Sequence, residues 1–317
     1  MNSFIIPPSL RSGDKIGIIS PSDFIEMKDI EKSLSIIKSW GLGVVMGDHT
    51  YDQEDGFAAG SASDRFDDLK KMVLDKEVKM IWCTLGGFAA TQLWPFINEE
   101  FIENLKSNPK LIMGYSDVCV LSHLWFKNGV GSVHGPNFSG FSDLDEESKE
   151  WTKKLLFGKL DRNIQLISDG IAIREGKAVG RLLCSNLDSL VTCFGTKFDP
   201  FDYGDDDLIL GLEEFEQYKS DIQRQIDMIM NHKKVDRIKG FILGKFRNLK
   251  FDEEYSKWYF KNETWEMIAK RIAAVNKDIP VITWSNFGHI GDRFIAFKNG
   301  IVVEMISDAD KSTLVEI

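Results

Sequence analysis

Hydrophobic and polar positions along the 317-residue chain follow two periods. In the first half, short and nearly continuous apolar runs are separated by amphipathic stretches. "DKIGIIS", "LGVVMGD", "VKMIWCTL" and "PKLIMGY" read as strands, and "GSVHGP" as a further short one. Helical spacing fills the gaps. It runs around Met27 to Trp40, then through "SASDRFDDLKKMVLD" with Ser61 or Ser63 as the cap. It resumes in "FAATQLWPFI" after Gly86-Gly87, and again from Ser116 to Lys127, where Asn128-Gly129 gives the stop. Strands that are apolar at successive positions are covered on both faces, so this alternation predicts an α/β fold with a parallel sheet between two helical layers.

Between Phe157 and Gly176 the pattern loosens, and charges and glycines increase. The length exceeds one core of ordinary size, so two domains are expected. The reading is an N-terminal α/β domain over residues 1–158, a linker over 159–176, and a smaller mixed α/β domain over 177–317. In the last, "AVGRLLCS", "DLILGLE", "IKGFILGKF" and "PVITWSN" read as strands. "LDSLVTCF" is a short helix stopped at Gly195, and "TWEMIAKRIAAV" a longer one. "SDIQRQIDMIMNH" is an amphipathic helix with Ile222, Ile226, Ile229 and Met230 on one face. "RFIAFKNGIVVEMI" reads as a hairpin turned at Asn299-Gly300. No internal repeat or low-complexity segment is present.

Composition changes this picture little: 43% hydrophobic and 28% charged residues are ordinary for a globular chain. The net charge of -10 repels polyanions, so neither nucleic acid nor an anionic membrane surface is an expected partner. The one short basic cluster, Lys233, Lys234 and Arg237, lies near the end of a predicted helix, where cations complement the helix dipole. There is no leader pattern and no apolar run of membrane-span length. Cys83, Cys119, Cys184 and Cys193 are scattered and read as reduced core residues. A cytoplasmic enzyme or binding protein is expected. Neither H-x-x-x-H, H-E-x-x-H or C-x-x-C spacing nor a Walker-type phosphate loop occurs, so no metal and no cofactor is expected.

Candidate chemistry starts at "KLIMGYSDVCVLSHL". Ser116 follows an apolar run and precedes a helical pattern, so it is either an N-cap or a nucleophile on a sharp strand-to-helix turn. The G-x-S-x-G elbow pattern is incomplete, because Val118 stands at the last glycine position. Leu85-Gly86-Gly87-Phe88 is a second special turn at a strand end, where ligands of parallel sheets bind. If the two turns are neighbours, the N–H groups of Gly87 and Asp117 converge as an oxyanion hole does. A base is also required. His49 and His232 look like solvated or capping residues, and His123 lies inside the helix that Ser116 begins. His134 and His289 sit at strand ends, His289 in a loop bounded by Gly288 and Gly291. For a carboxylate, "LILGLEEFEQ" carries Glu213-Glu214 on an apolar strand. Alternation puts Leu208, Leu210 and Leu212 on one side and Ile209, Gly211 and Glu213 on the other, Glu213 being the more inward.

In its order of blocks the chain resembles the LD-carboxypeptidases, serine peptidases that include muramoyl-tetrapeptide carboxypeptidases and the microcin C immunity proteins. "SGDKIGIISPSD", "AAGSASDRFDDL", "MIWCTLGGFAA", "NPKLIMGYSD" and "GSVHGPNF" are similar to consecutive blocks of the first domain. "NLDSLVTCFGT", "LGLEEFEQ" and "NFGHIGDRF" are similar to blocks of the second. The resemblance implies a triad of Ser116, Glu213 and His289, with Gly87 and Asp117 as backbone oxyanion donors and the site in the interdomain cleft. It implies hydrolysis of an L,D-peptide bond in a murein tetrapeptide. The alternatives are cleavage of an aminoacyl-adenylate or peptidyl-nucleotide conjugate, or a non-catalytic small-molecule binder. Gly86, Asn186, Arg247 and Arg293 are the candidate substrate contacts. The partner is a small peptide or peptide conjugate, and a homodimer is the assembly considered. Three departures stand out. Cys184-Ser185-Asn186-Leu187 replaces the family's Gly-Gly-Asn-Leu. "FIAFKNG" replaces a Pro-Leu-Gly element. The segment before the second domain, "QLISDGIAIREGKAVG", is short and lacks the immunity branch's tryptophan, which favours a carboxypeptidase substrate. The second-domain blocks stand closer to the immunity branch.

Overall fold

The computed structural model describes residues 4–54, 56–160, 165–247, 249, 264–289 and 291–317, without the side chains of 168 and 169. Five parallel strands build the first sheet: β1 (Lys15–Ile19), β2 (Gly43–Met46), β3 (Val78–Cys83), β4 (Leu111–Gly114) and β5 (Ser132–His134), in the spatial order β5-β4-β3-β1-β2. Successive strand residues feed opposite layers. Ile81, Cys83 and Ile112 join a core with Leu69 and Met72 of α2 (Ala62–Leu74), Phe101 of α3 (Glu99–Ser107) and Trp125 of α4 (Cys119–Lys127). Met80, Trp82, Leu111 and Met113 join another with Ile37 of α1 (Glu31–Ser39) and Leu155 of α5 (Glu146–Leu156). Two buried faces require apolar residues at every position, which is why these strands show no alternation.

Several local expectations need correction. "FAATQLWPFI" forms a 3-10 segment over Ala90–Phe96 rather than an α-helix. Pro95 lies inside it, lacks an N–H and would clash with the carbonyl one α-helical turn back. The helix after Ser116 begins as a 3-10 turn, Ser116–Val118, before α4 proper. Ser61, not Ser63, caps α2, its Oγ accepting the Asp64 N–H at 3.2 Å.

The second sheet closes on itself. Its strands are β6 (Gln165–Arg174), β7 (Gly176–Asn186), β8 (Leu208–Phe215), β9 (Ile238–Arg247), β10 (Val281–Thr283), β12 (Val302–Ser307) and β13 (Ser312–Glu316), in the order β10-β6-β13-β12-β7-β8-β9, with β9–β10 pairing completing the barrel. Strand β6 lies inside 159–176, so most of the stretch read as a linker belongs to the barrel. Ile209, Ile242, Ile282 and Met305 share one core. Leu208, Leu210 and Leu212 share another with α6 (Leu187–Thr192), α7 (Lys219–Met230) and α8 (Thr264–Val275).

The expected hairpin at Asn299-Gly300 is instead a crossing between sheets. β11 (Phe297–Asn299) adds antiparallel to β5 at the edge of the first sheet, while β12 pairs with β7 and β13 in the barrel. Gly300 supplies the turn at φ 97°. The Asn299 amide replaces a missing backbone ladder: Cys184 N–H donates to its Oδ1 at 2.7 Å and its Nδ2 donates to Cys184 O at 3.1 Å. The two sheets are thus stitched together beside β5. Among the described residues no helix is long and apolar enough to cross a membrane.

Candidate active site

Strand β4 ends at Gly114, Tyr115 is extended, and Ser116 then takes φ 62°. The left-handed region costs a non-glycine residue about 1–2 kcal/mol, so something must hold it there. Three contacts do. Tyr115 N–H donates to Asn137 Oδ1 at 3.1 Å. Ser189 Oγ, on α6 of the barrel domain, donates to Ser116 O at 3.0 Å. The next residue, Asp117, is fixed through its carboxylate, which accepts Ser22 Oγ at 2.6 Å and Ala90 N–H at 2.8 Å. Burial pushes the Asp117 carboxyl above its usual range, against these two hydrogen bonds. Ser116 itself is not an N-cap: the cap position of the turn is Tyr115, and the Ser116 hydroxyl forms no hydrogen bond with a described residue.

The glycine turn packs directly on this serine. A Cβ added to Gly86 would stand 2.8 Å from Ser116 Cβ and 3.0 Å from its Oγ. At Gly87, with φ 134°, a Cβ would collide with the Asp23 carboxylate. Only bare backbone fits at both positions. Asp23 reinforces the turn, its N–H donating to Gly86 O at 3.2 Å and its Oδ1 accepting Phe88 N–H at 3.2 Å. Buried Arg65 ties the same loops, donating from Nη1 to Pro21 O at 2.9 Å and Ala89 O at 2.8 Å. The N–H groups of Gly87 and Asp117 have no hydrogen-bond partner among the described residues.

The barrel domain brings Glu213 and His289. Glu213, near the end of β8, is fully buried. Its Oε2 accepts both His289 Nδ1 at 2.6 Å and the His289 N–H at 3.2 Å. Gly288, at φ 100°, lets the loop come this close, since a Cβ there would stand 2.6 Å from Glu213 Cβ. The imidazole stacks on Phe215, centroids 4.8 Å apart at 8°, and meets the Tyr115 ring edge-on at 4.6 Å. Burial pushes the His289 pKa down, but the charge and hydrogen bond of Glu213 outweigh it, so the net direction is up. The ring therefore lies against the residue preceding Ser116. The side chains of Ser116 and His289 form no hydrogen bond with each other.

Other residues singled out in the sequence fall as follows. Asn186 is the N-cap of α6. Arg247 lies near the His289 loop, where a Cβ on Gly291 would be 3.4 Å from its Nη1, and its charge opposes protonation of His289. Arg293 is paired with Glu147, Nη2 to Oε1 at 3.0 Å. His134 is buried beside Cys119, and burial pushes it down to about 4. His123 bonds Ser185 Oγ and is pushed down to about 3 by burial. His49 is half exposed beside Asp52. His232 is not solvated: its ring is largely buried and Nε2 lies 3.0 Å from Asp199 Oδ2. Among the described residues no group of three or more metal-ligating side chains converges. Sequence reasoning missed Ser22, Asp23, Asn137 and Ser189. Glu213 is the more inward of its pair, as the alternation predicts, and Glu214 is buried as well. Glu214 was detectable, because an unbroken apolar run before two acids leaves no exposed position for the second.

Comparison with known proteins bears on this geometry. The model of the LD-carboxypeptidase N-terminal domain matches residues 16–135, and that of the LD-carboxypeptidase C-terminal domain matches residues 179–305. A Bacillus subtilis protein named "probable murein peptide carboxypeptidase" is 28% identical over 246 residues, covering 76% of this chain and 75% of its own. The crystal structure of an MccF-like protein from Bacillus anthracis superposes with a TM-score of 0.81 at 24% identity, covering 99% of both chains. That of a muramoyltetrapeptide carboxypeptidase from Oxalobacter formigenes superposes with a TM-score of 0.80 at 22% identity, covering 95% and 97%. The chain belongs to the LD-carboxypeptidase family and is a serine-type peptidase, a hydrolase.

Proposed function

We propose that the chain is an LD-carboxypeptidase that releases the terminal D-amino acid from murein tetrapeptides in cytoplasmic cell-wall recycling. Its triad is Ser116, Glu213 and His289, in the cleft between an N-terminal domain that ends near residue 158 and a barrel domain that includes β6. Ser116 Oγ attacks the carbonyl carbon of the L,D bond and passes its proton to His289 Nε2. The N–H groups of Gly87 and Asp117 hold the resulting oxyanion, and loss of one such donor typically costs roughly 10²–10³ in rate. The C–N bond breaks as His289 returns the proton to the departing amine. Water, deprotonated by the same imidazole, then hydrolyses the Ser116 ester. Glu213 fixes the tautomer through Nδ1 and stabilises the imidazolium.

The observation that carries this reading is the 2.6 Å Glu213–His289 pair packed against the strained Ser116 turn, in a chain of this family. Arg247, on the loop side of His289, is the cation we assign to the substrate carboxylate, since Arg293 already has a partner. A second reading, an aminoacyl-nucleotide conjugate as substrate, is favoured by the second-domain sequence blocks. Side-by-side turnover of a murein tetrapeptide and an aminoacyl-sulfamoyl adenosine separates them. Release of the D-amino acid with the nucleotide untouched supports the first reading, and the reverse outcome establishes the second.

A further inference from the structure

The second carboxylate of the Glu213-Glu214 pair has no part in the triad, yet it is 2% exposed at the end of an apolar strand. Burying such a group costs several kcal/mol unless it is hydrogen-bonded, so its partners indicate its role. Glu214 Oε1 accepts Asn186 Nδ2 at 2.8 Å and Phe215 N–H at 2.8 Å, and Oε2 accepts Asp188 N–H at 2.9 Å. Asn186 Oδ1 in turn accepts Ser189 N–H at 3.0 Å, and the Ser189 hydroxyl lies between two acceptors, Ser116 O at 3.0 Å and Asn186 Oδ1 at 3.1 Å. Each of these side chains is at least nine-tenths buried.

Building on the proposed triad, we propose that Glu214, Asn186 and Ser189 form a positioning chain that holds Ser116 in its left-handed conformation. The two adjacent glutamates then serve the two halves of the triad. Strand alternation sends Glu213 toward His289 and Glu214 toward α6, the side on which Leu208, Leu210 and Leu212 pack. A simpler role for Asn186, capping the six-residue α6, accounts for its bond from Ser189 N–H. Glu214 shares in that capping, since its Oε2 takes the Asp188 N–H in the first turn of α6, but capping does not account for the Ser189 hydroxyl reaching across domains to the carbonyl of the strained residue. Burial, with the neighbouring Glu213 charge, pushes Glu214 up to about 7 despite three hydrogen bonds, so the group is retained at a cost. The Ser189 contact has a plain physical function. The Ser116 carbonyl already accepts the Cys119 N–H within its own turn, and the Ser189 hydroxyl adds a second donor from the other domain, which fixes the plane of the Ser116–Asp117 peptide.

The test is steady-state turnover of a murein tetrapeptide by Ser189→Ala, Ser189→Thr and Asn186→Ser, with the folded fraction measured by circular dichroism. Alanine suits a helix, and Ser caps as well as Asn, so folding is retained. In Ser189→Ala, kcat per folded molecule should fall roughly 10–100-fold, the scale of a reacting group misplaced by about an ångström, with KM within about twofold. Ser189→Thr, which keeps the hydroxyl, should recover most of the loss. Asn186→Ser keeps a cap but is too short to reach Glu214, and should lower kcat similarly. A Ser189→Ala kcat within about twofold of the parent overturns the proposal, as does equal loss in Ser189→Ala and Ser189→Thr. Wild-type turnover by Ser116→Ala would instead defeat the triad assignment, whatever the Ser189 variants do.

Discussion

A single oxygen, Glu213 Oε2, holds His289 twice, by the ring Nδ1 at 2.6 Å and by the backbone N–H at 3.2 Å. The carboxylate thus fixes both the tautomer and the loop that carries the imidazole. This is possible because Gly288 has no side chain and tolerates φ 100°. Gly288→Ala should push the loop off Glu213 and lower kcat by about 10²-fold or more while the barrel stays folded. Turnover with circular dichroism checks this, and wild-type kcat would show that the close approach is dispensable.

Ser116 sits at φ 62°, where alanine is strained and glycine is not. Both Ser116→Ala and Ser116→Gly should lose turnover by several orders of magnitude. Their stabilities should order against the usual preference, with Gly more stable than Ala by about 1 kcal/mol. Urea denaturation of the two variants measures the difference.

The pH profile follows from the electrostatics of His289. Its folded pKa is raised, so the neutral, base-competent ring is lost as pH falls through a value above the ordinary one. The acid limb of kcat/KM should therefore lie above about 6.5. By linkage the Glu213–His289 bond contributes stability below the ordinary histidine pKa, which is lost as pH rises through the raised one. Glu213→Gln removes the charge, so its residual activity should show an acid limb at lower pH. An unmoved limb would mean that another group titrates.

No described cluster of side chains offers metal coordination. Exhaustive chelation should leave kcat within about twofold, a smaller effect than the loss of any catalytic group. A large loss restored by one metal would replace the serine mechanism with another.

Much of this was legible in the chain because the signals were local. Continuous apolar strands, the Ser61 cap and the glycine loops each depend on a few neighbouring residues. The resemblance singled out Ser116, Glu213 and His289 from separate blocks, and the fold brings Glu213 onto His289 and His289 onto Tyr115. What escaped was non-local. Asn299-Gly300 carries a genuine turn signal, but nothing nearby says that its two strands belong to different sheets. Strand β6 looked like a linker because its charges and glycines weaken the pattern, and its pairing with β10 and β13 comes from more than a hundred residues away. Helices α3 and α5 begin with paired acids that suit a helix N-terminus but dilute the apolar period. Ser189 and Glu214 acquire meaning only once α6 is docked on the Ser116 turn.

The central claim is that Ser116 is a nucleophile activated by His289 from the other domain. Covalent labelling with a fluorophosphonate, followed by intact mass and peptide mapping, tests it most directly. The account predicts one adduct per chain, located on Ser116, formed at least about 10²-fold more slowly in His289→Ala because the serine loses its base. Labelling elsewhere, or Ser116 labelling that proceeds at the parent rate in His289→Ala, would contradict it.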